Sequence, residues 1–341
     1  DLLTSVNFTE VLNRVKQHDC WTTPLEGKNR GRGLALGMWT MPGGTASCHV
    51  NLNGDGSVTL VLGTPDLSGT RTSLGLVAAE ALGLALSDVK VTIANTDAVA
   101  YSDASAGDRI TYIASIAVGR ACVSLIESMK ARVASEFDTS PEHIGYRDRR
   151  FAASGVPEMS VSWEAMALRS VRGDGALSAS GAASEIPDGA AIAPNATAHV
   201  VDLEVDPETG KVDLLRYTTF QDAGLAVNPA QVEGQMQGGA VQGIGWALNE
   251  EYYMSDDGLM QNSSFLDYRM PTALDMPMID TVIVEVANPG HPFGVRGVGE
   301  VSIVPPPAAI ANAIHRATGV RMEVLPMNPG AVMEAIWKQG N

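Results

Sequence analysis

Apolar residues recur at helical spacing from the start of the chain. In NFTEVLNRVKQH, Phe8, Val11, Leu12 and Val15 share one face. KNRGRGLALG then reads as a loop rich in Gly and Arg. TASCHVNLN, the turn GDGS and VTLVLG read as a hairpin, because alternating strands flank a glycine-containing turn. RTSLGLVAAEALGL predicts a helix and VKVTIAN a strand, and the Ala-, Ile- and Val-rich stretch from Tyr112 to about Phe137 predicts another helix. Residues 171–195 hold Gly, Ala and Ser without clear period and read as a loop or linker. A second hairpin follows: ATAHVVDLEVD, the turn PETG, then KVDLLRYTTF.

After Asn228-Pro229 the pattern is ambiguous. AQVEGQMQGGAVQGIGWALNEEYY has helical character but carries glycines at 234, 238, 239, 243 and 245. Each weakens a helix by about 1 kcal/mol, so the run implies close packing against another backbone or a ligand. PPPAAIANAIHRATG is a clearer helix, with prolines in its first turn and Gly319 as its stop. The repeated strand–turn–strand logic and the length of 341 residues predict two α/β parts of about 170 residues each. We place them at 1–185 and 186–341.

Composition narrows the function. The chain is 45% hydrophobic and 18% charged, so it can bury a core. Its net charge of −16 argues against nucleic acid and against anionic membrane surfaces, both of which require Lys and Arg. No apolar run reaches the roughly 20 residues of a membrane span, and no signal-peptide pattern is read at the start. Cys20, Cys48 and Cys122 lie far apart and form no CxxC. An iron–sulfur or Cys-type zinc site on this chain is therefore not expected, and a reducing, cytoplasmic compartment is. The six histidines form no paired ligand motif.

Four stretches could carry chemistry. GTPDLSGTRTS (63–73) joins a strand to a helix, either as a plain turn or as an anion-accepting helix start. YSDASAGDRITY (101–112) leads into the next helix, and its Arg109 could meet a phosphate or a neighbouring acid such as Asp108. In the Gln-Gly run, Gln231, Gln235, Gln237 and Gln242 could read a heterocycle edge, with surface placement the better reading for three of them. In GVRGVGEVSIVPPP, a lone acid, Glu300, follows three glycines and precedes three prolines. It is either a solvated turn residue or a base held in an apolar pocket.

Together, in this order, the stretches resemble the molybdenum hydroxylase family, which includes xanthine dehydrogenase, aldehyde oxidoreductases and large carbon monoxide dehydrogenase subunits. The most specific segments are NPAQVEGQMQGGAVQGIGWALNEE, DGLMQNSSFLDYRMPTALDMP and FGVRGVGE followed by PPPAAIANAIHRATGVRMEVLPMNPGAV. The match is to the second half of the molybdopterin-binding subunit. It implies an α+β fold, with two α/β subdomains of mixed sheets and packed helices. It also implies a molybdenum cofactor, as molybdopterin or its cytosine dinucleotide, held through the pterin dithiolene with no protein ligand to the metal.

The resemblance places Glu300 as general base beside the metal, with Gly297 and Gly299 letting the backbone crowd the cofactor. Gln235 would contact the pterin ring. Ser105, Ala106, Gly107, Asp108, Arg109 and Ile110 would bind pterin and phosphate groups. Ser68, Gly69 and Arg71 fall in the loop near the dithiolene, where Ser68 replaces the family's glutamine. The family's first molybdopterin half and its iron–sulfur and flavin (FAD) modules are absent from this sequence. The implied partners are a chain carrying that first half, iron–sulfur and flavin subunits, and a small-molecule substrate, with no nucleic acid or membrane. The implied reaction is hydroxylation of an N-heteroaromatic or aldehyde with oxygen from water. A non-catalytic scaffold or cofactor-handling subunit, or a carbon monoxide oxidising or reductase branch, are the alternatives.

Overall fold

A computed structural model describes residues 6–41, 43–173, 175–184 and 194–340. Along the chain come α1 (Phe8–Gln17), α2 (Asp19–Thr22), β1 (Arg30–Trp39), β2 (Ala46–Leu52), β3 (Val58–Leu62), α3 (Thr70–Leu82), β4 (Val89–Ile93) and α4 (Arg109–Glu136). Next are β5 (Ile144–Arg147), β6 (Arg150–Ala153), β7 (Val156–Ser162), α5 (Trp163–Arg172) and β8 (Ser178–Ala183). The last are β9 (Asn195–Val205), β10 (Val212–Asp222), α6 (Pro229–Leu248), β11 (Ile279–Val284), α7 (Pro306–Thr318) and α8 (Pro329–Gly340). The fold is α+β with mixed sheets, in agreement with the sequence. The expected boundary at 185/186 lies outside the described residues. The chain forms two compact units, and neither is a continuous segment.

The first unit comprises residues 1–40, 193–287 and 296–341. Its sheet runs β1-β9-β10-β11, antiparallel except for the parallel β10–β11 pair. Both faces are covered, which is why β9 is buried along nearly its whole length. Ala196, Ala198 and Val200 face α1, through Val11 and Val15. Val201, Leu203 and Val205 face Ala240 and Ile244 of α6, Ile310 and Ile314 of α7, and Val332 of α8.

The expected Gly/Arg loop at 28–37 is instead largely strand β1. Its glycines are there for packing, not for turning. A Cβ on Gly31 or Gly33 would collide with the backbone oxygen of Ala313 or Ala309, so α7 lies directly on β1. The Gln-Gly run is a full 20-residue helix, α6.

The second unit comprises residues 41–192 and 288–295. Its main sheet runs β4-β3-β2-β8, with β3–β4 parallel and the other pairs antiparallel, as the first hairpin required. A small antiparallel sheet, β5-β6-β7, stands apart from it. The expected linker at 171–195 contains strand β8, a second correction with the same cause. A Cβ on Gly181 would strike the α4 backbone at Ala117 and Ala121. Small residues there let strand and helix meet. Among the described residues α4 alone is long and apolar enough to cross a membrane. Thirteen of its residues are buried in this unit.

Candidate functional site

The residues singled out by sequence fall in both units, and each group is described on its own. In the first unit, Glu300 begins a single 3₁₀ turn, Val301–Ile303, immediately before α7. Its own carbonyl closes that turn by accepting the Ile303 N–H at 3.1 Å. The side chain is half-buried.

What fixes this turn is a set of polar residues at one end of the sheet. β9 and β10 bring together at that end Asn195, Thr197, Thr219, Gln221 and Asp222, all buried. The register pairs Thr197 with Gln221, so these ends lie side by side. Asn195 Nδ2 donates to the Gly297 carbonyl. Gln221 Nε2 donates to the Val298 carbonyl at 2.9 Å, while its Oε1 accepts from Ser302 Oγ at 2.6 Å. One amide therefore brackets Glu300 from two residues before it to two residues after it. Arg296 is buried against Asp222, Nε to Oδ2 3.2 Å, and donates to the Pro194 carbonyl at 2.7 Å. Asp222 also accepts from Asn7 at 2.9 Å. A buried ion pair with its remaining hydrogen bonds met holds its place, because separating it leaves an uncompensated charge.

α6 supplies the floor of the turn. A Cβ on Gly239 would come within 2.8 Å of Ser302 Cβ and 3.4 Å of the Gly299 carbonyl, and one on Gly243 within 2.9 Å of the Ile303 carbonyl. These two glycines, one helical turn apart, explain part of the run. Gly234 and Gly238 do not pack: nothing lies within 4 Å of where their Cβ atoms would be. Gln235 sits beside them, half-buried and without a hydrogen-bond partner among the described residues. Gln231 and Gln242 are exposed, and Gln237 is tied to the Ile279 carbonyl at 3.2 Å. Thus Gln235 is the one glutamine of the four that is half-buried with its side chain unpartnered among the described residues.

In the second unit the other two stretches meet. A Cβ on Gly63 would lie 2.9 Å from Ser102 Oγ, so the loops before α3 and α4 touch. The 101–108 loop is held by Asp103, which accepts from the Thr45 N–H at 2.6 Å and the Tyr101 hydroxyl at 2.8 Å. Those bonds, Thr45 first, hold its carboxyl below the usual range. Arg109 folds back onto this loop, donating to the Ala104 carbonyl at 2.8 and 2.6 Å, with Asp103 3.9 Å away. Arg109 thus lies beside a neighbouring acid, Asp103. Ser105 and Ala106 are exposed. Gly107 and Asp108 take left-handed backbone, at φ 62° and 64°, and lead into α4 with Ile110 in its first turn.

The 63–73 loop is more self-contained. Ser68 and Gly69 are both left-handed, φ 57° and 74°. Asp66 accepts the Arg71 N–H at 3.1 Å and pairs with its guanidinium at 3.2 Å, so a carboxylate already stands at the α3 start. An anion there would meet that charge. Thr64, by contrast, is buried with its hydroxyl unpartnered among the described residues.

In the second unit, the small exposed residues before α4 and the buried Thr64 hydroxyl, unpartnered among the described residues, fit contacts to a molybdenum cofactor. In the first unit, taken by itself, so do Gly234 and Gly238 beside Gln235, with nothing within 4 Å of their Cβ positions. Among the described residues no cluster of three or more His, Cys, Asp or Glu could hold a metal ion. The three thiols are buried, and burial pushes Cys20 up to about 11 and Cys122 to about 12. Sequence reasoning missed Asn195, Gln221, Asp222, Arg296, Ser302 and Thr64. The only signal was the polar residues gathered at the Asn195 end of β9 and the Asp222 end of β10.

Residues 2–277 match the family model described as a molybdopterin cofactor-binding domain. The chain is 30% identical over 339 residues to the 6-hydroxypseudooxynicotine dehydrogenase complex subunit gamma of Paenarthrobacter nicotinovorans, covering 96% of this chain and 42% of that one. It is 31% identical to the putative xanthine dehydrogenase molybdenum-binding subunit of Escherichia coli K12, covering 89% and 42%. Quinoline 2-oxidoreductase from Pseudomonas putida 86 shares the fold, with a TM-score of 0.81 at 24% identity over 97% of this chain and 43% of that one. The chain therefore spans about two fifths of the length of the curated relatives it matches.

Proposed function

The chain belongs to the molybdopterin cofactor-binding domain family, and from that premise we propose that it forms the base-carrying part of a multi-subunit molybdenum hydroxylase. The reaction is hydroxylation of an N-heteroaromatic or an aldehyde, with water as the oxygen source. When bound, the molybdenum cofactor would supply the two-electron oxidation, with iron–sulfur and flavin groups on partner subunits as the electron acceptors.

This chain's residues bind, orient and move a proton. Gln235, with the open face of Gly234 and Gly238, would meet the pterin edge. The backbone and small side chains of Ser105 to Ile110 would hold pterin and phosphate oxygens, and Ser68, Gly69 and Arg71 would flank the dithiolene. Gly297 and Gly299 would let the turn approach the cofactor. The Glu300 carboxylate would take the proton released as water oxygen is transferred to carbon.

The observation that supports this best is the bracketing of Glu300 by Gln221 at residues 298 and 302. A general base needs a fixed position, and these bonds hold the backbone on either side of Glu300. The test is metal analysis of the purified native complex, then turnover of a pyridine-type heteroaromatic and an aldehyde in ¹⁸O-labelled water. Molybdenum in the complex and ¹⁸O in the product are expected. A molybdenum-free complex, or product oxygen drawn from dioxygen, refutes the reading.

A further inference from the structure

Residues 288–295, NPGHPFGV, belong to the second unit and form a closed loop. The Asn288 N–H donates to the Gly294 carbonyl at 3.0 Å, and the Asn288 side chain donates to the Val295 carbonyl at 3.3 Å, so the two ends are tied to each other. His291, buried, is the hub. Inside the loop its Nδ1 accepts from the Phe293 N–H at 3.1 Å and the Val295 N–H at 3.3 Å. Toward α4 its Nε2 lies 3.0 Å from the Tyr112 carbonyl and 3.2 Å from Ser115 Oγ. The helix comes close beside it: a Cβ on Gly119 would lie 3.1 Å from the Phe293 ring.

These partners fix the ring's proton. A nitrogen that faces two N–H donors must be bare, so the single proton of the neutral ring sits on Nε2 and is donated to the Tyr112 carbonyl. A second proton would have to go on Nδ1, where it meets two donors and no acceptor. The titratable side chain against the ring is Tyr112, with ring centroids 4.5 Å apart. The arginines of α4 on either side turn elsewhere, Arg109 to the Ala104 carbonyl and Arg120 to the Ala182 carbonyl. Among the described residues no Asp or Glu acts on the ring, so an imidazolium there would lack a counter-charge. Burial holds the ring below the usual histidine range, with the Tyr112 carbonyl opposing.

We propose that His291 is a proton-operated latch: the loop 288–295 lies closed on α4 while the ring is neutral and opens when the ring takes a second proton. The latch does not depend on the functional reading above. In the open loop the ring meets water and titrates at about 6.5, whereas in the closed loop it titrates lower. The closed form is therefore fully favoured above about pH 6.5 and is lost as pH falls below it. Between pH 7.5 and 5.5 the equilibrium moves toward the open loop by about five- to tenfold. The Arg296 N–H, held by the Ala223 carbonyl at 3.1 Å, bounds the opened segment. Opening uncovers Phe293 and the face of α4 at Ser115 and Gly119, a surface offered only in acid.

The test is amide hydrogen exchange of the native protein at pH 7.5 and 5.5, corrected for the intrinsic rate at each pH, with the variant His291→Asn alongside. Asparagine keeps an oxygen that can accept the loop's N–H groups and cannot titrate. In the wild type, protection across 289–295 is expected to fall about five- to tenfold in acid while residues 113–125 of α4 keep theirs. In the variant, loop protection should not respond to pH. Unchanged loop protection in the wild type, an equal fall in the variant, or a parallel fall in α4 overturns the proposal. The wild-type ring gives a check that needs no variant. Its ¹⁵N shifts at pH 7.5 should show the proton on Nε2 and Nδ1 bare, and a proton on Nδ1 overturns the latch.

Discussion

The turn at Glu300 and the arm at 249–278 belong to one unit, and each departs from the usual arrangement of polar outside and apolar inside. At the turn, polar groups are buried and largely matched: Asn195 Nδ2, Gln221, Asp222, Arg296 and Ser302 find partners within the chain, while Asn195 Oδ1 and Thr219 Oγ1 have none among the described residues. On the arm, apolar groups are exposed and unmatched. A buried polar network gives position, since unpartnered groups in a dry interior are costly. The first region holds a backbone turn in place, and the second leaves large apolar side chains in solvent.

The contrast can be broken at the Arg296–Asp222 pair, where the largest stability effect is expected. Arg296→Met leaves a buried carboxylate without its cation and should destabilise the isolated chain by about 3–5 kcal/mol. Urea denaturation measures it, and adding Asp222→Leu should recover much of the loss. A change within experimental error would mean the pair does not fasten the turn.

Acid should act on the same end of the sheet. His199 is fully buried, and desolvation lowers it to about 3. The unfolded chain therefore binds a proton below about pH 6.5 that the folded chain refuses. Stability from this residue is complete above pH 6.5 and falls as pH drops toward 3. The loss is at most about 2.7 kcal/mol over two pH units. A His199→Gln variant should show a correspondingly flatter stability profile between pH 6.5 and 4.5.

A smaller effect, about 1–3 kcal/mol, is expected from Gln221→Leu, which strips partners from the Val298 carbonyl and the Ser302 hydroxyl. Hydrogen exchange of amides 298–303 should quicken in that variant and stay slow elsewhere. The smallest effect belongs to the arm. The triple variant Phe265→Ser, Leu266→Ser, Leu274→Ser should leave the stability of the chain alone within about 0.5 kcal/mol, because those side chains are exposed whether or not the chain is folded.

Much of the fold was legible in the residues. The two hairpins carried their turns in GDGS and PETG, and α7 carried its prolines and Gly319. Strand β1 was not legible, because its identity depends on α7 nearly three hundred residues later. Gly31 and Gly33 look like loop residues until the Ala309 and Ala313 backbone is laid against them. Strand β8 was hidden for the same reason, behind Gly181 and α4. At the site, local sequence picked out Glu300 from its glycines and prolines. It could not pick out Gln221, which lies 81 positions from Ser302 and looks like any polar residue at a strand end. Nor could it show that Gly239 and Gly243 pack while Gly234 and Gly238 do not, because periodicity treats all four alike.

The most direct test of the central claim is turnover by the native complex carrying Glu300→Gln, with molybdenum content measured on the same sample. The account predicts wild-type molybdenum and turnover reduced by about 10²–10⁴-fold, the usual contribution of a general base. Undiminished turnover at full molybdenum occupancy would contradict it.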